Sequence, residues 1–525
     1  MTTSQSIRPK RRFVGNVIIY ILLLISAIFL TASRYKGLHF ADARIEEIIF
    51  YFLNGIDGQS NSLFETVQDN LLFLGIVFFI LLLPVIDFYR NRISIKLNLS
   101  FLGRKKLTNF NPSNIPYKFK LVYTIIVLLI SVWLLLSSFG VYGYIKSLSA
   151  TSKIFEEHYV DPKTATLIFP EKKRNLIHIY LESMENTLMS QEHGGQLEVS
   201  LTPELESIAL DPRNVSFSNL PSGLGGMLPA SGTTWTVAAL VAQSGGVPLR
   251  NNILGGDGNS MGDFKQFLPG AYTLGDILQK EGYNQTLIIG SVASFGGRDK
   301  LFSQHGGYTI KDYDYAKETG LIDKDYGVWW GYEDKKLFEF TKDELARLST
   351  DGKPFNIQLL TADTHFTDGY LDETCSTDYP NQYDNVYSCS SSQVEEFVNW
   401  LLEQPFADST TIVITGDHLG MQTSYYEERI NDPSYKRTIY NAFINPVIEP
   451  VSKNNRQFTS MDIYPTTLAA MGVVINGDRL GLGTNLFSEK PTLVEIYGGL
   501  TELNNELTKR SLYYDNNIML QRNND

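Results

Sequence analysis

Four chemistry-bearing residues follow apolar, β-branched runs. Glu182 follows NLIHIYL (Asn175–Leu181), Asp417 and His418 follow TTIVITG (Thr410–Gly416), and His365 stands shortly after FNIQLLT (Phe355–Thr361). Two carboxylates and an imidazole are a donor set that suits a divalent cation. The chain has only seven histidines from which to draw such ligands. His178 lies inside an apolar run and reads as packed core, while His39 and His158 lie outside the region. The other chemical stretch is LPASGTTWTVAAL (Leu228–Leu240), where Thr233, Thr234 and Thr236 stand at the mouth of a helix-like run. A threonine there commonly caps the helix, an effect of ~1 kcal/mol. A helix N-terminus also offers unpaired N–H groups and a positive dipole end to a phosphate. A free threonine hydroxyl is a poor nucleophile, and a cation held by Glu182, Asp417 and His418 would activate it. Spacing alone does not choose among the three threonines.

These residues need a scaffold. NLIHIYL, NQTLIIG (Asn284–Gly290), FNIQLLT and TTIVITG read as buried strands. Helical patterns alternate with them at Thr273–Gly282, Glu333–Ser349 and Ser391–Gln404. This predicts an α/β domain with a mostly parallel sheet flanked by helices, over about residues 172–490. In open parallel sheets ligands bind outside the carboxyl ends of the strands. Glu182, His365, Asp417 and His418 are therefore expected along one sheet edge. Residues 144–171 read as a linker, and 491–525 as a peripheral, Asn-rich C-terminal tail.

The front of the chain differs in kind. Residues 1–150 carry 16 Lys+Arg against 7 Asp+Glu, and the remainder 29 against 50. So acidic a rear argues against nucleic acid, which needs basic surface. Three apolar runs, at about 13–32, 71–88 and 121–142, approach the ~20 residues of a bilayer-spanning helix. They predict a three-helix membrane anchor over residues 1–143. Arg8–Arg12 precede the first run, and no acid lies between Tyr89 and Lys120. The positive-inside rule then puts the N-terminus and that loop in the cytoplasm, and three crossings place the rest outside. Cys375 and Cys389 both fall in the exported part, flanking a segment that reads as a loop, and are expected to form a disulfide there.

Several motifs together resemble one family. YLESMENT, SGTTWT, WGYED (Trp330–Asp334), TADTHF and TGDHLG occur in the order found in sulfatase-like phosphotransferases of the alkaline phosphatase superfamily. The chain is most similar to phosphoglycerol transferases: lipoteichoic acid synthase and, more closely, the membrane-bound transferase of osmoregulated periplasmic glucans. Phe267–Tyr283, Phe295–Gly307, Asp368–Cys375, Arg479–Phe487 and Val241–Leu249 share that character. The resemblance implies that Thr234 is a metal-bound nucleophile and that Glu182, Asp417 and His418 are the other ligands of one manganese or magnesium ion. It places a phosphate-binding histidine at His365, and glycerol-phosphate pocket residues at Trp330 and Asp325. The family's pocket arginine falls near Tyr332, leaving Arg298 or Arg437 as substitutes. The implied reaction moves phosphoglycerol from phosphatidylglycerol through a phosphothreonine to a glycan, at the bacterial inner membrane with the catalytic domain in the periplasm. A true sulfatase would need Cys/Ser-x-Pro-x-Arg, which CSTDY, CSSSQ and SGTTW do not supply. Phosphoethanolamine transfer and a non-catalytic binding role are the alternatives.

Overall fold

Strands buried on both faces need apolar side chains at nearly every position, and four such runs form the centre of one sheet. The structure is a computed structural model that describes residues 7–40, 45, 62–85, 95–101, 104–110, 116–250 and 266–519. It divides into two units, residues 1–41 with 61–142, and residues 42–60 with 143–525.

In the first unit, α1 (Ile7–His39), α2 (Ser62–Leu82) and α3 (Tyr117–Ser138) are the long helices. Strands β1 (Ile95–Phe101) and β2 (Arg104–Phe110) pair as an antiparallel hairpin between α2 and α3. Two helices among the described residues are long and apolar enough to cross a membrane, Val14–Leu38 and Tyr117–Ser138. The expected second span is thus not matched in full. The apolar part of α2 is the shorter Asn70–Leu82. The helix stops two residues before Pro84, because proline disfavours helical geometry in the residue before it. Residues 86–88 of that expected span lie outside the described residues.

The second unit is built on a six-stranded sheet. Its strands are β3 (Asn175–Leu181), β4 (Asn284–Ile289), β5 (Thr309–Lys311), β6 (Phe355–Leu360), β7 (Thr410–Gly416) and β8 (Asn441–Ile444), in the spatial order β5–β4–β6–β3–β7–β8. All neighbours are parallel except β7 and β8. Tyr180 pairs with Leu360 and Leu181 with Gly416, so these three strands end level with one another. His178 is buried inside β3, where burial pushes its imidazole down to about 3, and its Nε2 lies 2.9 Å from the Thr415 hydroxyl.

The boundaries expected at both ends of this domain need correction. The segment 144–171 is not a loose linker. Ile154 and Phe155 are buried in the core, and Leu167–Ile168 pair with Val474–Ile475. The segment 491–525 is likewise not a peripheral tail over its described part. Leu493, Val494, Leu503, Leu507, Tyr514 and Ile518 are buried in the same hydrophobic cluster as Phe155. Helical periodicity hides these apolar residues among asparagines. The Cys375–Cys389 segment is not all loop either, since Cys389 lies on a helix spanning Gln382–Leu402. That helix starts nine residues before the expected Ser391, capped by the Asn381 side chain.

Candidate metal centre and phosphate pocket

Level strand ends bring Glu182 and Asp417 together. The backbone N–H of Asp417 donates to Leu181 O at 3.0 Å, and Gly416, at the end of β7, leaves room for the Met184 carbonyl, which any Cβ would strike. Ser183 follows in a left-handed conformation (φ 54°), which turns its N–H onto Asp417 Oδ1 at 2.8 Å. Its hydroxyl donates to Glu182 Oε1 at 2.7 Å. The His418 N–H also donates to Asp417 Oδ1, at 2.7 Å. His418 Nδ1 lies 2.8 Å from the Leu419 carbonyl, which can only accept. Nδ1 therefore carries the proton, and Nε2 presents a lone pair. Nε2 sits 3.5 Å from Glu182 Oε1 and 3.4 Å from Asp417 Oδ2.

These three residues each offer a ligand atom within 4.8 Å of the others. Glu182 is 3% exposed, Asp417 0% and His418 1%. Burying two carboxylates is costly unless a cation or strong donors meet them. Asp417 Oδ2 has no hydrogen-bond partner. Burial, and then the Glu182 charge, push the Asp417 carboxyl up to about 8. Burial opposes ionisation of Glu182 as well, but the charge of His418 and His365 when protonated, and the Ser183 hydroxyl, hold it below the usual carboxylate range. The donor set and the orphaned oxygen fit a divalent cation.

The threonines separate by their hydrogen bonds. Thr233 Oγ1 donates to the Ala230 carbonyl at 3.0 Å and is occupied. The helix spans Thr236–Gly245 and is N-capped at Trp235 without a side-chain bond. Thr234 is therefore not the cap, and its Oγ1 is buried with no hydrogen-bond partner. Thr236, rather than the Thr234 that the resemblance implies, meets the centre: its Oγ1 lies 3.4 Å from both Glu182 Oε2 and His418 Nε2. Gly232 (φ 80°) makes the preceding turn, where a Cβ would press on Pro248 and the Leu249 carbonyl.

A cavity opens beside these groups, lined by Glu182, Thr236, Arg298, Trp330 and His365. The ring of Trp330 sits 4.5 Å from His365 and 5.7 Å from Phe295. His365 Nδ1 lies 2.7 Å from the Phe366 carbonyl, so its Nε2 also presents a lone pair. Burial pushes His365 below its ordinary value, against the pull of Glu182. The structure thus places Trp330 and His365 on the cavity that Glu182 also lines. Asp325 is exposed and does not line that cavity. Tyr332 is buried in the core. Arg298 takes the pocket position, held by bonds to the Phe295 and Val292 carbonyls, whereas Arg437 pairs with Glu185. Cys375 and Cys389 are joined by a disulfide. Sequence reasoning overlooked Ser183, Thr361 and Thr364. The Thr361 hydroxyl accepts the Glu182 N–H at 2.9 Å, and the Thr364 hydroxyl donates to the Glu182 carbonyl at 2.6 Å. Their only signal was proximity in sequence to Glu182 and His365.

With this geometry established, comparison with known proteins becomes specific. The family described as Sulfatase matches residues 174–473, more than half of the chain. The chain belongs to the sulfatase family. Phosphoglycerol transferase I of Salmonella paratyphi B is 32% identical over 282 residues, which are 52% of this chain and 34% of that protein. The protein of the same name from Salmonella typhi gives the same figures. The chain spans about a third of the length of these curated relatives. Among solved structures, the lipoteichoic acid synthase LtaP of Listeria monocytogenes is 18% identical, with a TM-score of 0.46 over 64% of this chain and 82% of that one. The lipooligosaccharide phosphoethanolamine transferase A of Neisseria meningitidis is 15% identical, with a TM-score of 0.47 over 88% and 84%. The sulfatase match starts at the residue before β3 and ends at the residue before Val474–Ile475. It therefore contains every residue of the centre and pocket described above.

Proposed function

We propose that this sulfatase-family chain is a membrane-tethered phosphoglycerol transferase, in which Thr236 takes the phosphoglycerol group from phosphatidylglycerol and passes it to a glycan hydroxyl. The observation that carries this reading is the Thr236 hydroxyl, which lies on the cavity and 3.4 Å from both Glu182 Oε2 and His418 Nε2. The names of the relatives support the group transferred.

The Thr236 oxygen bonds to the phosphorus as the bond to diacylglycerol breaks, and diacylglycerol leaves as the alcohol. A glycan hydroxyl then attacks the phosphothreonine and restores the threonine. Glu182, Asp417, His418 and Thr236 would hold one divalent cation, for which we favour Mn2+ over Mg2+. When bound, it lowers the pKa of the threonine hydroxyl and offsets charge on the phosphoryl oxygens. His365 Nε2 and Arg298 receive the phosphoryl group, and Trp330 forms a wall for the glycerol.

We assign α2 as a third crossing. Three crossings, with basic residues on the cytoplasmic side, put the sulfatase domain and its disulfide in an oxidising compartment beside a lipid donor. Tethering also raises the effective concentration of that donor. A membrane-impermeant thiol probe should label a cysteine placed at Ser409 in intact spheroplasts but not one placed at Asn109; labelling of Asn109 alone would reverse the topology.

The decisive experiment incubates the purified chain with Mn2+ and phosphatidylglycerol labelled in the head group. The label should appear on the peptide containing Thr236 and disappear in T236A. Label on a phosphoethanolamine donor instead would identify the rival transferase.

A further inference from the structure

Trp330 and His365 come from separate segments, one leading into the helix α4 (Asp334–Ser349) and one leaving β6. Their ring contact must be held by something other than chain connectivity. Four residues after Trp330, the Asp334 carboxylate accepts the N–H of Ala362 at 2.7 Å and of Asp363 at 3.0 Å. Two residues before His365, the Asp363 carboxylate accepts the N–H of Asp334 at 3.1 Å. Each aspartate thus grips the backbone of the other's segment, and both are buried. Asp334 opens α4, whose N-cap Glu333 makes no side-chain capping bond. Asp363 therefore supplies, from another segment, the acceptor that a helix N-terminus normally finds locally. Both anchors are rigid. Leu337, Phe338, Leu345 and Leu348 of α4 and all of β6 are buried. The 361–365 segment is tied on its other side to Glu182 through Thr361 and Thr364.

We infer that Asp334 and Asp363 are positioning residues, a reciprocal brace that fixes Trp330 against His365 and so sets the width of the phosphate pocket beside Glu182. They touch no reacting atom and act through the two aromatic side chains. Three hydrogen bonds from backbone N–H groups to the two carboxyls span this gap, two accepted by Asp334 and one by Asp363. The kinetic part of this inference rests on the transferase reading; the structural part does not.

Three variants separate the brace from general stability. D334N replaces one of the two acceptor oxygens with an NH2 that cannot accept. D363N keeps an oxygen for the single N–H bond, whereas D363A keeps none. With diacylglycerol release from phosphatidylglycerol micelles as the readout, D334N and D363A should lower kcat/KM about tenfold, and D363N should stay within about threefold of wild type. In a W330A background D334N should cost less than about twofold, because the residue through which it acts is gone. Mn2+ affinity, measured by calorimetry, should not change. Multiplicative losses in the double variant, or equal losses in D363N and D363A, would overturn the brace. If D334N does not fold, the D363N and D363A pair decides. If wild type releases no diacylglycerol with any donor, the transferase reading fails by itself. Amide exchange then judges the brace: peptides covering 326–333 and 361–366 should both exchange faster in D363A than in D363N, and unchanged exchange would reject it.

Discussion

The Glu182–Asp417 pair and the Asp334–Asp363 pair are both buried carboxylates of one domain, and hydrogen bonding treats them differently. Asp417 leaves Oδ2 without a donor, and the first pair converges with the lone pair of His418 Nε2 inside 4.8 Å. Asp334 fills both of its oxygens with backbone N–H groups from the segment that bears His365, and although Asp363 Oδ1 also lacks a donor, no imidazole converges with that pair among the described residues. A buried carboxylate whose spare oxygen shares a point with an imidazole calls for a cation. One that grips backbone calls for none and holds segments together. The type of residue is the same; the direction of its oxygens decides its use.

This contrast can be broken experimentally. The largest effect should come from T236A, which removes the proposed nucleophile and should lower transfer by about a thousandfold or more, against about tenfold for T234A. Equal losses would mean that contact with Glu182 and His418 is not the distinguishing feature. Next, Mn2+ should raise the melting temperature of wild type and of D334N but not of D417N, since only ligands of the cation link binding to stability. A Mn2+-dependent rise in D417N would erase the difference between the pairs.

A smaller effect is expected from pH. Burial, and then the Glu182 and Glu333 charges, push Asp334 up to about 7 against its two backbone bonds. An unfolded aspartate titrates near ~3.9. Between those values the folded chain holds more protons than the unfolded one, so the contribution of Asp334 to stability falls as pH rises and levels off above about 7. D334N should flatten that slope in denaturant titrations at pH 5 and 8; an unaltered slope would assign the proton elsewhere. The smallest effect on activity should come from replacing Cys375 and Cys389 together by alanine. That change should cost about 3 kcal/mol of stability, from loop closure alone, and leave kcat nearly unchanged.

Much of the centre was legible because parallel strands have a fixed polarity. Once NLIHIYL and TTIVITG read as buried strands, Glu182 and Asp417 had to emerge at the same edge. Burial of the whole Thr410–Gly416 run is what made it apolar, and so visible. Pattern reading failed where periodicity was diluted. Leu503 and Leu507 lie among asparagines, and their burial against Phe155 needs a partner more than 300 residues away. At α2, one proline and a polar first half leave a described apolar helix shorter than the expected span.

Residue order alone determined the α/β alternation, the apolar front, the acidic rear and the placement of Glu182, Asp417 and His418 at strand ends, because these follow from local periodicity and from strand direction. Tertiary structure decided which threonine hydroxyl stays unpaired, which arginine lines the pocket, and that Asp334 faces Asp363. Those outcomes depend on where a donor from a distant segment happens to lie. Hydrogen-bond geometry is set by angstroms across the fold, and sequence spacing does not carry that information.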